Sequence, residues 1–159
     1  LDIMGLFDFL KGPIGKSDWE YDDQMKEIYS KNEMGKLSIE DGRDNPFMGG
    51  GYTLHIRGEF VERLKDTDTM TATRVEPNNY FKSVAYKFGD LDGKNGESFG
   101  EEYILFTATP GDKIWELLRD MTKATILEIP YGKKGGTVEF KIEGLTQALK
   151  NFKRGYTKI

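Results

Sequence analysis

The chain contains no cysteine. That excludes a disulfide scaffold, a thiolate metal site and a cysteine nucleophile. It contains one histidine, His55, so any imidazole-based site must recruit its partners from carboxylates or hydroxyls elsewhere. No apolar run approaches the ~20 residues of a membrane-spanning helix. No basic stretch precedes an apolar core with a small-residue cleavage site, so a secretory signal is not expected either, and a cytoplasmic location is. Basic residues are outnumbered, 23 against 27 acidic ones, and a net charge of −4 argues against a broad nucleic-acid surface. What the chain has instead is aromatic side chains, at 13% of residues, which suits a β-rich core.

A chain of 159 residues is long enough for one domain with a sizeable core. Met4-Gly5-Leu6-Phe7 reads as a natural start, with residues 1–3 as an addition. Leu6, Phe7, Phe9 and Leu10 then form an apolar patch, and Gly12-Pro13-Ile14-Gly15 breaks any regular structure behind it. The expectation is an apolar segment and linker over 1–16, followed by a single domain over 17–159. Four large apolar side chains so close together are costly to leave in water, so the segment is expected to dock. Its own domain, a second copy of the chain and an unknown protein partner are the candidates. One basic residue, Lys11, is too little charge to favour a membrane surface. The myristoylation pattern fails because Phe9 stands where a hydroxyl residue is required.

Ser17 followed by Glu20 is a capping-box pattern. With Trp19, Met25, Ile28 and Tyr29 as buried positions, it predicts a helix to about Asn32. Residues 33–51 read as loop. Residues 52–60 predict a strand with Tyr52, Leu54 and Ile56 on one face and Thr53, His55 and Arg57 on the other. Residues 69–75 and 80–88 predict two more, the second with Tyr80, Val84, Tyr86 and Phe88 on one side. Residues 90–100 form a polar reversal. Residues 103–107, apolar on both faces, predict a central strand. Thr109 as N-cap, Pro110 as first helical residue and Asp112 in the first turn predict a helix buried through Ile114, Trp115, Leu117, Leu118 and Met121.

The last third has the clearest pattern. Residues 125–129 predict a strand ended by Pro130. Gly132, Gly135 and Gly136 supply a reversal. A strand follows with Val138, Phe140 and Ile142 on one face, then a short helix with Leu145, Ala148, Leu149 and Phe152. Phe140, Ile142, Leu105 and Trp115 are expected to share one core. The predicted class is α+β: a mainly antiparallel sheet or sandwich of about six strands with an N-terminal, an inserted and a C-terminal helix.

Within residues 118–152, Leu118-Arg119-Asp120-Met121, the strand pair, and the phrase Phe140-Lys141-Ile142-Glu143-Gly144-Leu145 with Ala148-Leu149 resemble the closing segment of two bacterial families. These are the type VI secretion-associated VasI-like proteins and the invasion-associated locus B proteins. Members of both are generally exported and carry cysteines, and this chain departs from them there. The resemblance implies a small β-rich accessory or binding domain acting through protein contacts. It carries over no catalytic residue.

Three stretches invite chemistry. Asp90, Asp92, Asn95 and Glu102 supply oxygens around a glycine-bearing loop, but Lys94 falls where a calcium loop needs a ligand. A polar turn is the expectation and a calcium-tuned module an alternative. His55 is expected to be exposed on the polar face of its strand, with a hydrolase-like site using His55 and loop carboxylates as the other alternative. Gly49-Gly50-Gly51 precedes a strand instead of a helix, so no phosphate loop and no cofactor are expected. Lys150, Lys153, Arg154 and Lys158 read as charges at a helix carboxy terminus, and nucleic acid is not an expected partner.

Overall fold

The computed structural model describes residues 17–22, 26–42, 51–91, 102–131, 136–152 and 159, and the backbone of 97–100. They form a mainly antiparallel α+β fold. The first sheet has the order β1 (Glu20–Asp22), β2 (Glu27–Lys31), β3 (Lys36–Asp41), β4 (Tyr52–Arg57), β9 (Tyr103–Ala108) and β8 (Glu97–Gly100). The second has the order β11 (Gly136–Lys141), β10 (Ile126–Tyr131), β5 (Thr69–Arg74) and β6 (Phe81–Lys82), with β7 (Tyr86–Lys87) pairing the other end of β5. The helices are α1 (Phe88–Leu91), α2 (Lys113–Met121) and α3 (Leu145–Leu149), and a 3₁₀ turn covers Glu59–Arg63. Eleven strands thus stand among the described residues where about six were expected.

The core draws on both sheets and the helices. Ile28, Leu37, Ile39, Leu54, Ile56 and Phe106 come from the first sheet, and Ala72, Leu127, Ile129, Val138 and Phe140 from the second. Ile114, Trp115, Leu117, Leu118 and Met121 bury the face of α2, as the spacing predicts. Aromatic rings join the elements: Tyr52 stacks on Trp115 at 5.9 Å, and Phe60 meets Phe140 at 6.4 Å. Each such side chain contributes about 1.5–3 kcal/mol by leaving water.

The N-terminal helix expected over 17–32 is replaced by β1 and β2. Ser17 Oγ accepts the Trp19 N–H at 3.1 Å in a local turn, so it caps no helix. The segment then docks on the far sheet. Asp18 exchanges backbone and side-chain hydrogen bonds with Glu143, and Trp19 Nε1 donates to the buried Ile142 carbonyl at 3.0 Å. In Glu27–Lys31 the alternation of Ile28 and Ser30 inward with Tyr29 and Lys31 outward overrides the capping signal.

Three further expectations change. The loop over 33–51 contains β3. The strand over 80–88 is cut in two. Ser83 donates its N–H to the Ala72 carbonyl and accepts the Ala72 N–H on Oγ, both at 2.9 Å, so a side chain stands in for one rung of the ladder. Tyr80 and Val84 consequently face solvent at 67% and 70% exposure, and only Tyr86 and Phe88 are buried. Thr109 is not the N-cap of α2. That position falls to Asp112, whose carboxylate accepts the Thr109 hydroxyl at 2.5 Å. Pro130 lies within β10 rather than ending it, opposite Thr137 and beyond the span of β10 paired to β5, where its missing N–H costs no rung. The closing β10, β11 and α3 otherwise follow the pattern, with Leu145, Ala148, Leu149 and Phe152 buried.

Candidate functional site

The first sheet buries its apolar face in the core. Its other face is polar and sorted by charge. Antiparallel register places Lys31, Lys36, Arg57 and Tyr103 in one row across β2, β3, β4 and β9. The next row is Tyr29, Ser38, His55 and Leu105. The row beyond holds Glu27, Glu40, Thr53 and Thr107, with Asp22 of β1 opposite Glu27. Like charges directly opposite one another are unfavourable in a sheet. The two charged rows offset this by reaching towards each other over the middle row. Lys36 Nζ lies 4.4 Å from the centre of the Tyr29 ring and ends 2.6 Å from the Glu27 carboxylate.

Much of this face is buried although it is polar. Glu27, Ser38, Thr53 and His55 are each less than 9% exposed. The expectation of an exposed histidine is therefore corrected. His55 packs edge-on against Tyr103 at 5.5 Å, and both of its ring nitrogens lie 3.2 Å from the Arg57 guanidinium. Burial, and then the Arg57 charge, hold its pKa down to about 4, so the ring is neutral near pH 7. A neutral imidazole has one acceptor nitrogen, so one of the two contacts is a hydrogen bond from Arg57 and the other is packing. Glu40 is shifted up, first by burial and then by the neighbouring Glu27. The Ser38 hydroxyl is buried and has no hydrogen-bond partner among the described residues.

At the cationic end the sheet opens into a cleft of about 580 Å³ lined by Lys31, Lys36, Arg57, Glu33, Glu59 and Glu102, among others. Two glycines shape it. A Cβ on Gly35 would lie 2.0 Å from the Arg57 carbonyl oxygen. Gly58 has a φ of 151°, and a Cβ there would lie 2.4 Å from the Met34 carbonyl oxygen. Asn32 fixes the β2–β3 turn on the opposite wall. Its Oδ1 accepts the N–H groups of Met34 and Gly35, and its Nδ2 donates to the Glu139 carbonyl of β11 at 2.7 Å.

His55 is hydrogen-bonded to an arginine instead of a carboxylate. Lacking an orienting acid and held neutral to about pH 4, it is a weak general base. Of the loop candidates, Asp90 sits on α1 and Glu102 borders the cleft, while Asp92 and Asn95 lie outside the described residues. A helical turn precedes that loop and β8 follows it, which is not the helix–loop–helix of a calcium hand. Among the described residues no group of three His, Asp or Glu side chains could hold a metal ion. Leu6, Phe7, Phe9 and Leu10 also lie outside the described residues. No described helix is long and apolar enough to cross a membrane.

Sequence reasoning missed Glu27, Lys36 and the cleft because it read 17–51 as helix and loop. The signal was present: Glu27–Lys31 and Lys36–Asp41 alternate around Asn32-Glu33-Met34-Gly35, a four-residue hairpin connection with turn residues at both ends. No family model, no curated protein and no solved structure matches this chain.

Proposed function

We propose that the chain is a non-catalytic binding domain that takes hold of a protein partner at the cleft between the β2–β3 turn and the end of β4. The observation that carries this reading is the state of the single histidine. It is kept neutral near pH 7 first by burial and then by the Arg57 charge, and no described carboxylate orients it, so the charged groups around the cleft serve for contact and not for proton transfer. The mixed lining of Lys31 and Arg57 with Glu33, Glu59 and Glu102 suits the polar, hydrogen-bonded rim of a transient protein interface. The carboxy-terminal resemblance to bacterial accessory proteins supports the same reading, as does the expected docking of Leu6, Phe7, Phe9 and Leu10. Two facing sheets packed as a sandwich would give the cleft a rigid frame.

Affinity capture from the source cells tests it, comparing the native chain with a Glu33→Lys, Glu59→Lys variant. A partner that is identified, binds again from purified components and is lost with the variant supports the cleft. A reconstituted partner retained in full by the variant refutes it. Turnover of a substrate that is abolished by His55→Gln would overturn the non-catalytic reading.

A further inference from the structure

Arg57 is held in an unusual way. Its Nε and Nη2 are turned to His55, and its Nη1 makes no hydrogen bond among the described residues. No described carboxylate pairs with it, although Lys36 beside it is paired with Glu27 at 2.6 Å. A carboxylate partner would position the guanidinium and also cancel its charge. A neutral imidazole positions it and leaves the charge in place. Arg57 is nonetheless exposed at the end of β4 and lines the cleft, with Lys31 two strands away in the same row.

We propose that Arg57 is the anchor for a single carboxylate of the bound partner, received in the cleft by the free edge of the guanidinium, with Lys31 farther along the same row. This rests on the binding reading above and names the group that is bound. A planar guanidinium matches a planar carboxylate through two parallel hydrogen bonds. The acids of the lining set the charge limit. Glu33, Glu59 and Glu102 repel every anion, and one with more than one negative charge the more strongly, so phosphate and nucleic acid are disfavoured against a lone carboxylate from a side chain or a chain terminus. The structure also provides a reporter, since the only histidine of the chain touches the anchoring group. Burial, Arg57 and Lys36 oppose protonation of His55 and Glu27 favours it; an anion on Arg57 offsets the Arg57 share, so binding must raise the pKa of the ring, and protonation of the ring must strengthen binding.

The test is NMR of His55 in the whole chain during titration with sodium acetate and, separately, with inorganic phosphate at matched ionic strength. The expected result is a saturable shift of the His55 signals with acetate, at millimolar concentrations, and an upward move of its titration midpoint. Phosphate is expected to bind more weakly. Arg57→Gln should weaken acetate about tenfold or more, and Arg57→Lys, which keeps the charge but not the fork, should fall between. Circular dichroism confirms that each variant is folded. Replacing Glu59 and Glu102 by Gln should narrow the preference for acetate over phosphate. No saturable response to acetate, tighter binding of phosphate, or an unchanged response in folded Arg57→Gln overturns the proposal. Should acetate fail while the Glu33→Lys, Glu59→Lys variant still loses its partner, the carboxylate assignment falls and the binding reading stands. Should that variant keep its partner, the binding reading falls by itself.

Discussion

Acidification is the perturbation that reaches the buried polar face most directly. His55 has an ordinary pKa of 6.5 and is held at about 4 in the folded chain. Near pH 7 the ring is neutral in both folded and unfolded states, and the shift costs nothing. As pH falls below about 6.5, the unfolded chain takes up a proton that the folded chain refuses, and stability is lost. The loss levels off below about pH 4, where the folded ring is protonated too. A displacement of this size amounts to about 3 kcal/mol at its limit, an appreciable share of the ~5–15 kcal/mol that holds a domain together.

Glu40 acts in the opposite sense. Its pKa is raised in the folded state, so the penalty for its burial is relieved as the carboxyl becomes protonated. The net acid sensitivity is therefore smaller than the histidine alone implies, and a variant is needed to separate the two. Urea unfolding of the native chain and of His55→Gln, followed between pH 7.5 and the acid limit, isolates the term. The native curve should fall more steeply than that of the variant over the window from about 6.5 to about 4. The NMR titration of His55 in the folded chain should show its midpoint near the lower end of that window. Superimposable pH profiles for the two proteins, or a folded-state midpoint near 6.5, would refute the account of a ring buried beside a guanidinium.

Trp115→Ala removes a buried ring that stacks on Tyr52 and should cost about 3–5 kcal/mol; an unchanged melting temperature would refute its place in the core. Ser83→Ala leaves the buried Ala72 N–H without its acceptor and should destabilise by about 1–3 kcal/mol in urea unfolding, with a smaller effect for Ser83→Thr. The Tyr86 hydroxyl donates to Asp120, and burial followed by this bond pushes its pKa well up. Ultraviolet titration should therefore find one more tyrosinate on alkaline unfolding in the native chain than in Tyr86→Phe, and equal counts would contradict the pairing. Deleting residues 1–11 tests the apolar segment: lower stability at unchanged size indicates docking on its own domain, and loss of self-association or partner capture indicates an interface. No change in any of these leaves Leu6, Phe7, Phe9 and Leu10 without a docking role.

The strands and helices that bury a one-sided apolar stripe were legible in the sequence. In α2 the positions Ile114, Trp115, Leu117, Leu118 and Met121 are all buried, and in β11 Val138 and Phe140 face the core while Glu139 does not. There the pattern and the local chemistry agree, so periodicity suffices. The failures come where a local signal competes with a tertiary one. Ser17 and Glu20 look like a capping box, but the indole N–H of Trp19 and the carboxylate of Asp18 find partners 123 and 125 residues away on Ile142 and Glu143. Its apolar character places Leu105 in the core with Trp115 on sequence grounds, yet it stands on the polar face opposite His55, and the core positions of β9 are Phe106 and Ala108. A strand apolar on both faces gives no period to decide which side faces inward.

The candidate site was illegible for a different reason: its chemistry is a product of register. In sequence Lys31, Lys36 and Arg57 are three unremarkable charges, and Glu27 and Glu40 are two more. Only the pairing of Lys31 with Lys36 and of Lys36 with Arg57 turns them into a cationic row, and the same pairing sets Glu27 against Glu40. A slip of one residue between β3 and β4 would send the Arg57 side of the strand into the core and bring Leu54 and Ile56 out. Such a slip is opposed twice. Leu37, Ile39, Leu54 and Ile56 are fully buried in the native register, and Gly35 lies so close to Arg57 that no other residue fits there. Core packing thus fixes the register, and the register assembles the charges. The arrangement is costly by itself, with like charges opposite one another and Ser38 buried without a partner among the described residues. A sheet face needed only for stability would be less costly with neutral residues in these rows, and that is the physical case for assigning the cleft at its end a role in binding.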